Sequence, residues 1–313
     1  MRPPRIVAEV GCNHRGEIAT AREMVRVAVV FAGVDVVKFQ KRCPRECLTP
    51  EQYHAPHPVP AHAYGPTYGQ HRERLELPLS AHVELKELCE ELGAVYSASV
   101  WDMTSARQIM SLRPAIIKVP SACNTHAELL RLLCDEFGGE IHISLGMTTR
   151  SEEEAIVELV RSRGRLADTV LYACVSGYPV DFEDLSLLEV ERLRNTYGTA
   201  VKAIGFSGHH LGIAADIAAM ALGASVIERH FTLNRSWKGT DHAASLEPHD
   251  LRRLVRDVRD VAKALAPKRA ELLPVELEQR RKLKARWIQE PPPGAAPQAW
   301  RGLRGSAPRG PGA

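Results

Sequence analysis

The sequence holds no apolar run near the ~18 residues that a membrane-crossing helix requires, which excludes a helical membrane protein. Its start, "MRPPRIVAEVG", leaves no space for a leader before the first structured run, so no secretory signal is expected. No CxxC pair occurs. The seven cysteines (12, 43, 47, 89, 123, 134 and 174) are odd in number, scattered, and mostly in apolar segments, as reduced core thiols are. A disulfide framework or structural zinc site is therefore not expected, and a cytoplasmic location is. No GxGxxG follows any strand-like run. "GCNHRG" (11–16) has the outer glycines of a phosphate loop but lacks the Lys-Ser/Thr that would follow. A general basic excess is also missing. The formal net charge is +3, but from Lys268 onward ten basic residues face four acidic ones, so the body before it carries −3. That balance gives no nucleic-acid surface. "QRRKLKAR" (279–286) is read as a solvated helix face in preference to a contact with nucleic acid or an anionic surface.

What is present is an alternation of two textures. Eight β-rich runs recur at 5–11, 34–40, 94–100, 115–121, 141–146, 169–176, 202–208 and 225–232. Between them lie segments of helical spacing, with Ser80 and the pair Ser151 and Glu154 as candidate helix starts and Gly33 and Gly93 as stops. Near-continuous apolar strands alternating with helices predict a parallel sheet, and eight such units predict a (β/α)8 TIM barrel; a doubly wound open sheet is the structural rival. The expected organisation is a catalytic barrel over residues 1–266, a basic helical or irregular extension over 267–290, and a disordered Pro/Gly-rich tail over 291–313.

A barrel enzyme places its chemistry at the C-terminal ends of the strands. Here those ends carry Glu9 followed by Asn13 and His14, then Lys38 and Gln40, Ser97 and Ser99, Lys118 and Ser121, Ser144, Ser176, Ser207 followed by His209 and His210, and finally Glu228 and His230. Any one serine is as well explained as a satisfied interior group. Two lysines, two glutamates and two histidines are not, because buried unpaired charge costs several kcal/mol. Lys38 and Lys118 with the hydroxyls of Ser121, Ser144, Ser176 and Ser207 suit phosphate and carboxylate together. His209 and His230 suit a divalent metal. Glu9, Glu228 and Asp241 remain as acid–base or orienting groups.

The segments "AEVGCNHRGEIATA", "DVVKFQK", "IIKVPSACN", "GFSGHHLGIA", "LGASVIERHFTL" and "WKGTDHAASLEP" resemble, in order and spacing over about residues 5–266, the sialic acid synthase (N-acetylneuraminate synthase) family. "WKGTDH" and "TYGQHRERLE" resemble its animal sialic acid phosphate synthase branch. The resemblance implies a phosphoenolpyruvate-dependent condensation with an amino-sugar aldehyde, N-acetylmannosamine-like and phosphorylated or not, giving a sialic-acid-like 2-keto acid and phosphate. It implies a homodimer and a divalent metal, Mn2+ first, with Mg2+ or Co2+ as alternatives, held by His209 and His230. It implies that Lys38, Lys118, Ser121, Ser144, Ser176 and Ser207 hold phosphoenolpyruvate. Glu9 would contact the sugar and the attacking water, and Asp241 the sugar. Glu228 would lie one layer deeper than His230 as a charge-balancing group. Gln40, Asn13 and His71 are further substrate-contact candidates, His71 from a 53–71 loop over the mouth.

Three departures from the family pattern stand out. Strand 3 reads "SASVW", with Ala98 where a threonine is usual and Ser99 as a stand-in. Strand 7 reads "SGH" rather than "SDH". The C-terminal antifreeze-like domain is expected to be missing. Two rival readings are a metal-independent Schiff-base aldolase using Lys38 or Lys118, and a non-catalytic carbohydrate-binding barrel.

Overall fold

The computed structural model describes residues 2–284; the tail expected over 291–313, and the end of the expected 267–290 extension, lie outside the described residues. Eight parallel strands, β1 (Arg5–Gly11), β2 (Val36–Lys41), β3 (Val95–Val100), β4 (Ile116–Val119), β5 (Glu140–Ser144), β6 (Thr169–Cys174), β7 (Ala203–Gly208) and β8 (Val226–His230), close into a barrel as β8 pairs with β1. Closure removes the open-sheet alternative.

Strand alternation sorts the side chains into two sets. Ile6, Ala8, Phe39, Ala98, Ile117, Ile143, Phe206 and Ile227 join the core between strands and helices. Val7, Val36, Ile116, Val170, Tyr172 and Val226 form a separate apolar cluster that floors the barrel interior. Each such aliphatic burial contributes about 1.5–3 kcal/mol. Register fixes the height of the polar residues above that floor. Glu9 lies opposite Lys38 on one side and His230 on the other, while Glu228 lies opposite Val7, two residues lower. Arg229, between them in sequence, must therefore point outward. It is buried there against Asp216 of the helix Ala214–Ala221, at 2.5 Å, and donates to the Gly212 carbonyl at 2.8 Å. A charge that would be misplaced inside the barrel thus ties β8 to its flanking helix.

Two helix starts differ from expectation. The helix Arg150–Ser162 is capped by Thr149, whose backbone N–H is held in turn by Glu152 at 2.8 Å, so Ser151 falls in the first turn. The [ST]-x-x-E pattern occurs in two registers two residues apart, and the loop geometry selects the earlier one. The helix Leu79–Glu91 begins after Pro78, which leaves Ser80 inside it. Gly33 does end its helix, with φ of 79° in the left-handed region that favours glycine.

A second unit begins at Ala266. Its helix, Pro274–Lys284, buries no side chain, and Lys268 pairs with Glu276 at 2.8 Å. Among the described residues no helix is long and apolar enough to cross a membrane.

Candidate active site

The C-terminal ends of the strands surround a cavity of ≈ 230 Å³. Glu9, Lys38, Gln40, Lys118, Ser121, Ser144, Ser176, Ser207, His209, Glu228 and His230 line it, joined by Ser99, Trp101, Met147, Cys174 and Tyr178.

Its floor is a quartet of buried charges. Lys118 Nζ lies 2.6 Å from Glu228, Lys38 Nζ 2.6 Å from Glu9, and Lys38 a further 3.6 Å from Glu228. Each of the four is no more than 4% exposed. Burial this deep is tolerable only because the charges compensate one another. Lys38 also donates to Ser99 Oγ at 2.7 Å, Ser207 Oγ donates to Glu228 at 3.1 Å, and Gln40 Nε2 donates to Glu9 at 2.7 Å. Ser99 therefore takes up the position over Lys38, while Ala98 faces the helices.

The two carboxyls are driven apart. Burial pushes Glu9 above the ordinary carboxylate range, and Lys38 only partly opposes this. Burial would push Glu228 up too, but Lys118 and Lys38 outweigh it and hold it well below that range. Lys38, with two carboxyls against its own desolvation, is held above the usual lysine value, whereas burial brings Lys118 below it. One site thus contains a carboxylate fixed in its charged form and another able to carry a proton, the division of labour expected of an acid–base pair.

Along one wall the backbone comes unusually close. A Cβ on Gly146 would sit 2.5 Å from Ser176 Oγ and 2.7 Å from Ser121 Oγ, so only glycine lets these hydroxyls converge. Gly146 N–H donates to Ser121 at 3.1 Å, and Ser144 Oγ is buried without a partner. The result is a hydroxyl-lined recess beside Lys118.

At the rim, the rings of His209 and His230 lie 5.4 Å apart. His209 Nδ1 donates to the Val175 carbonyl at 2.9 Å; burial would lower the ring, but Cys174 and that carbonyl outweigh it and hold it above the usual imidazole value. Burial lowers His230 to about 3, so its ring is neutral, and its buried Nδ1 has no hydrogen-bond partner. Two imidazoles this close, that of His230 neutral with a vacant Nδ1, fit a divalent cation, which takes imidazole in its deprotonated form. No group of three or more His, Cys, Asp or Glu positioned for a metal occurs among the described residues, so the pair makes an open site. Asp241 Oδ2 lies 4.0 Å from His230 Nδ1, beside the pair but not on the cavity lining.

Two expected substrate contacts are placed elsewhere. Asn13 is buried beneath the mouth, its carboxamide donating to the Phe231 carbonyl and to Ser245 Oγ, both at 2.9 Å. His71 is buried in the β2–β3 connection, where it accepts from the Tyr64 N–H at 3.1 Å and stacks on Tyr68. Conversely, Cys174 shares strand parity with Val170 and Tyr172, a signal that could have placed it in the interior. Tyr178, whose ring is 4.3 Å from that of His209, follows Ser176 by two residues in a loop, where parity gives no guidance.

Comparison with known proteins settles the lineage. Residues 24–270 match the model of the NeuB family. The chain belongs to the NeuB family. It is 35% identical to the N-acetylneuraminate-9-phosphate synthase of Homo sapiens over 90% of this chain and 76% of that one. It is 32% identical to the N,N'-diacetyllegionaminic acid synthase of Campylobacter jejuni over 85% and 78% of the two chains. The solved N-acetylneuraminic acid (sialic acid) synthetase of Leptospira borgpetersenii, in complex with citrate, superposes with a TM-score of 0.74 at 26% identity, covering 90% of this chain and 93% of that one. For this NeuB-family chain, then, the resemblance first carried by "VIERHFTL" and "WKGTDHAASLEP" extends over most of the sequence.

Proposed function

We propose that this NeuB-family chain condenses phosphoenolpyruvate with the open-chain aldehyde of an amino sugar, releasing phosphate and a sialic-acid-like 2-keto acid. The observation that carries the reading is the split pair of carboxyls, Glu228 clamped by Lys118 and Lys38 and Glu9 set above its ordinary range, in a cavity with a hydroxyl recess and two facing imidazoles.

In this reading Lys38 and Lys118, with Ser121, Ser144, Ser176 and Ser207, hold the carboxylate and phosphate of phosphoenolpyruvate. Glu228 keeps both lysines charged and aimed before the substrate arrives. The enol C3 attacks the aldehyde carbon, a C–C bond forms, and the aldehyde oxygen takes up a proton. Water adds at C2 and gives its proton to Glu9, which Gln40 and Lys38 hold in place. The tetrahedral adduct then collapses by breaking the C2–O bond, leaving the ketone and inorganic phosphate. His209 and His230 would hold a divalent cation, Mn2+ first, with Mg2+ or Co2+ as alternatives, and when bound it supplies Lewis-acid polarisation of the aldehyde. Asp241 orients the sugar beside His230. The catalytic unit is residues 1–266, acting as a homodimer in the cytoplasm.

The quartet disfavours a Schiff-base mechanism: Lys38 is held protonated by Glu9 and Glu228, and an imine at Lys118 would have to displace its pairing with the same Glu228 at 2.6 Å. The test is phosphate release from phosphoenolpyruvate across a panel of N-acetylhexosamines and their phosphates. Chelation should abolish turnover and Mn2+ should restore it, and borohydride with substrates should leave no lysine adduct. Full turnover after exhaustive chelation, or a trapped adduct, would overturn the reading.

A further inference from the structure

The two imidazoles stand just above the end of the ladder that joins their strands. The register between β7 and β8 runs from Gly205↔Val226 to Gly208↔Arg229, so strand pairing stops one residue short of both His209 and His230. Something else must set the distance between the rings. Each ring has a neighbour in sequence that points away from the cavity, His210 beside His209 and Arg229 beside His230, and the two neighbours meet behind the barrel wall. Arg229 Nη1 lies 2.5 Å from Asp216 Oδ2, 2.8 Å from the Gly212 carbonyl and 3.0 Å from His210 Nε2, and its Nη2 donates to the His210 carbonyl. Asp216, in the first turn of the helix Ala214–Ala221, also lies 3.3 Å from His210 Nε2. All three side chains are at most 1% exposed. A buried ion pair is in itself weak evidence for stability, since apolar residues of the same volume serve as well. What a guanidinium adds is a rigid planar fork that reaches several acceptors at once. On the other side, His209 is already anchored to the connection after β6: its Nδ1 donates to the Val175 carbonyl at 2.9 Å, and its own carbonyl accepts from the Val180 N–H at 3.0 Å. The joint left to fix is the one between His209 and β8, and Arg229 spans it.

We propose that Arg229 is a positioning residue for the imidazole pair. From the place before His230 it grips the connection that follows His209, and so holds the ring centroids at their 5.4 Å separation and sets the affinity for a divalent cation between them. Asp216 and His210 keep the guanidinium in its place. Neither Arg229 nor Asp216 lines the cavity, so both act through the imidazoles and not on a substrate. The inference rests on the cation site proposed above and names the residues that build it from behind.

The experiment uses the full chain, wild type, Arg229→Met and Arg229→Lys, with His209→Ala and His230→Ala to show where the cation binds. Mn2+ affinity is read from the free-ion signal in electron paramagnetic resonance, phosphoenolpyruvate affinity without metal by calorimetry, and the fold by circular dichroism and Tm. We expect a wild-type Mn2+ site that both histidine variants lose, and that Arg229→Met weakens about 10–100-fold while metal-free phosphoenolpyruvate affinity stays within a few-fold. Arg229→Lys keeps the charge beside Asp216 but has no fork for the two carbonyls, so its Mn2+ affinity should fall by about tenfold, and it carries the test if Arg229→Met does not fold. Wild-type Mn2+ affinity in a folded Arg229 variant overturns the proposal. So does an equal loss of phosphoenolpyruvate affinity without metal, which would make Arg229 a support of the barrel at large. Mn2+ that fails to bind the wild type, or that still binds both histidine variants, overturns it as well, because the pair is then no cation site. A wild type that binds Mn2+ through the pair yet condenses nothing would leave the clamp standing and remove the proposed reaction instead.

Discussion

The interior of the barrel is charged at both ends, and the two ends are built differently. At the N-terminal end Arg5, His142 and Lys202 surround one carboxylate, Glu140. Arg5 Nη2 lies 2.6 Å away, His142 Nε2 3.2 Å and Lys202 Nζ 3.3 Å, while His142 Nδ1 meets the Tyr172 hydroxyl at 2.8 Å. None of these side chains has a buried polar atom left without a partner. At the C-terminal end the quartet is as well paired, yet Glu228 Oε2, Ser144 Oγ and His230 Nδ1 are buried without hydrogen-bond partners and face a cavity. The apolar layer of Val7, Val36, Ile116, Val170, Tyr172 and Val226 separates the two. Charge alone therefore does not mark the site. The mark is polar capacity left unspent, which is costly in a folded protein unless a ligand uses it.

The largest separation between the two ends should come from their carboxyls. Glu9→Gln keeps the hydrogen-bonding shape and removes the proton acceptor, so turnover should fall about 10²–10⁴-fold with ligand binding retained. Glu140→Gln, at the other end, should leave kcat within a few-fold. Near-normal turnover in Glu9→Gln would remove it from the acid–base role. Activity lost equally in both variants would dissolve the contrast altogether.

Binding should follow the same division with a smaller effect. Lys38→Ala or Lys118→Ala removes a charge-assisted contact from a desolvated site and should weaken phosphoenolpyruvate by about a hundredfold or more. Part of the cost is the Glu228 charge left behind without its lysine. Arg5→Ala should leave that affinity unchanged. Calorimetry showing wild-type phosphoenolpyruvate affinity in both lysine variants would put the anion elsewhere.

Much of this was legible in the sequence, for reasons that differ by residue. The eight strands were, because each is an apolar run bounded by turn residues, and β1 begins and ends where its composition changes. Glu228 and His230 were, because a period of two puts them on one face, and register then places Glu228 a layer deeper. Ser99 over Ala98 follows from the same parity. Asn13 and His71 lie off the cavity lining, a placement parity could not give because loops have no period: their side chains engage the Phe231 carbonyl and the Tyr64 N–H. Tyr178 escaped for the same reason, since its place depends on how the connection after β6 folds back over the mouth. The helix starts at Thr149 and Pro78 missed by two residues or fewer, where a local capping pattern admits more than one register.

The smallest predicted effect concerns stability and sharpens the comparison from the N-terminal side. Burial would raise the Glu140 carboxyl, but His142 and Arg5 outweigh it and hold it well below its usual 4.5. A depressed folded value means that the folded state keeps the carboxylate charged where the unfolded chain would already take up a proton. The stabilisation is therefore fully present above about pH 4.5 and is lost as pH falls from there toward the lower folded value. Arg5 and Glu140 are both partly exposed, which screens the pair and limits the contribution to about 1 kcal/mol or less. Burial lowers His142 to about 4, so it adds a loss of its own between its ordinary 6.5 and about 4, before Glu140 titrates. Urea unfolding of the wild type and Glu140→Gln should differ by a constant amount above about pH 5 and converge as pH falls below 4.5. Curves that stay parallel down to about pH 3 would show that Glu140 gains nothing from its ion pairs, and the N-terminal cluster would then be as unspent as the mouth.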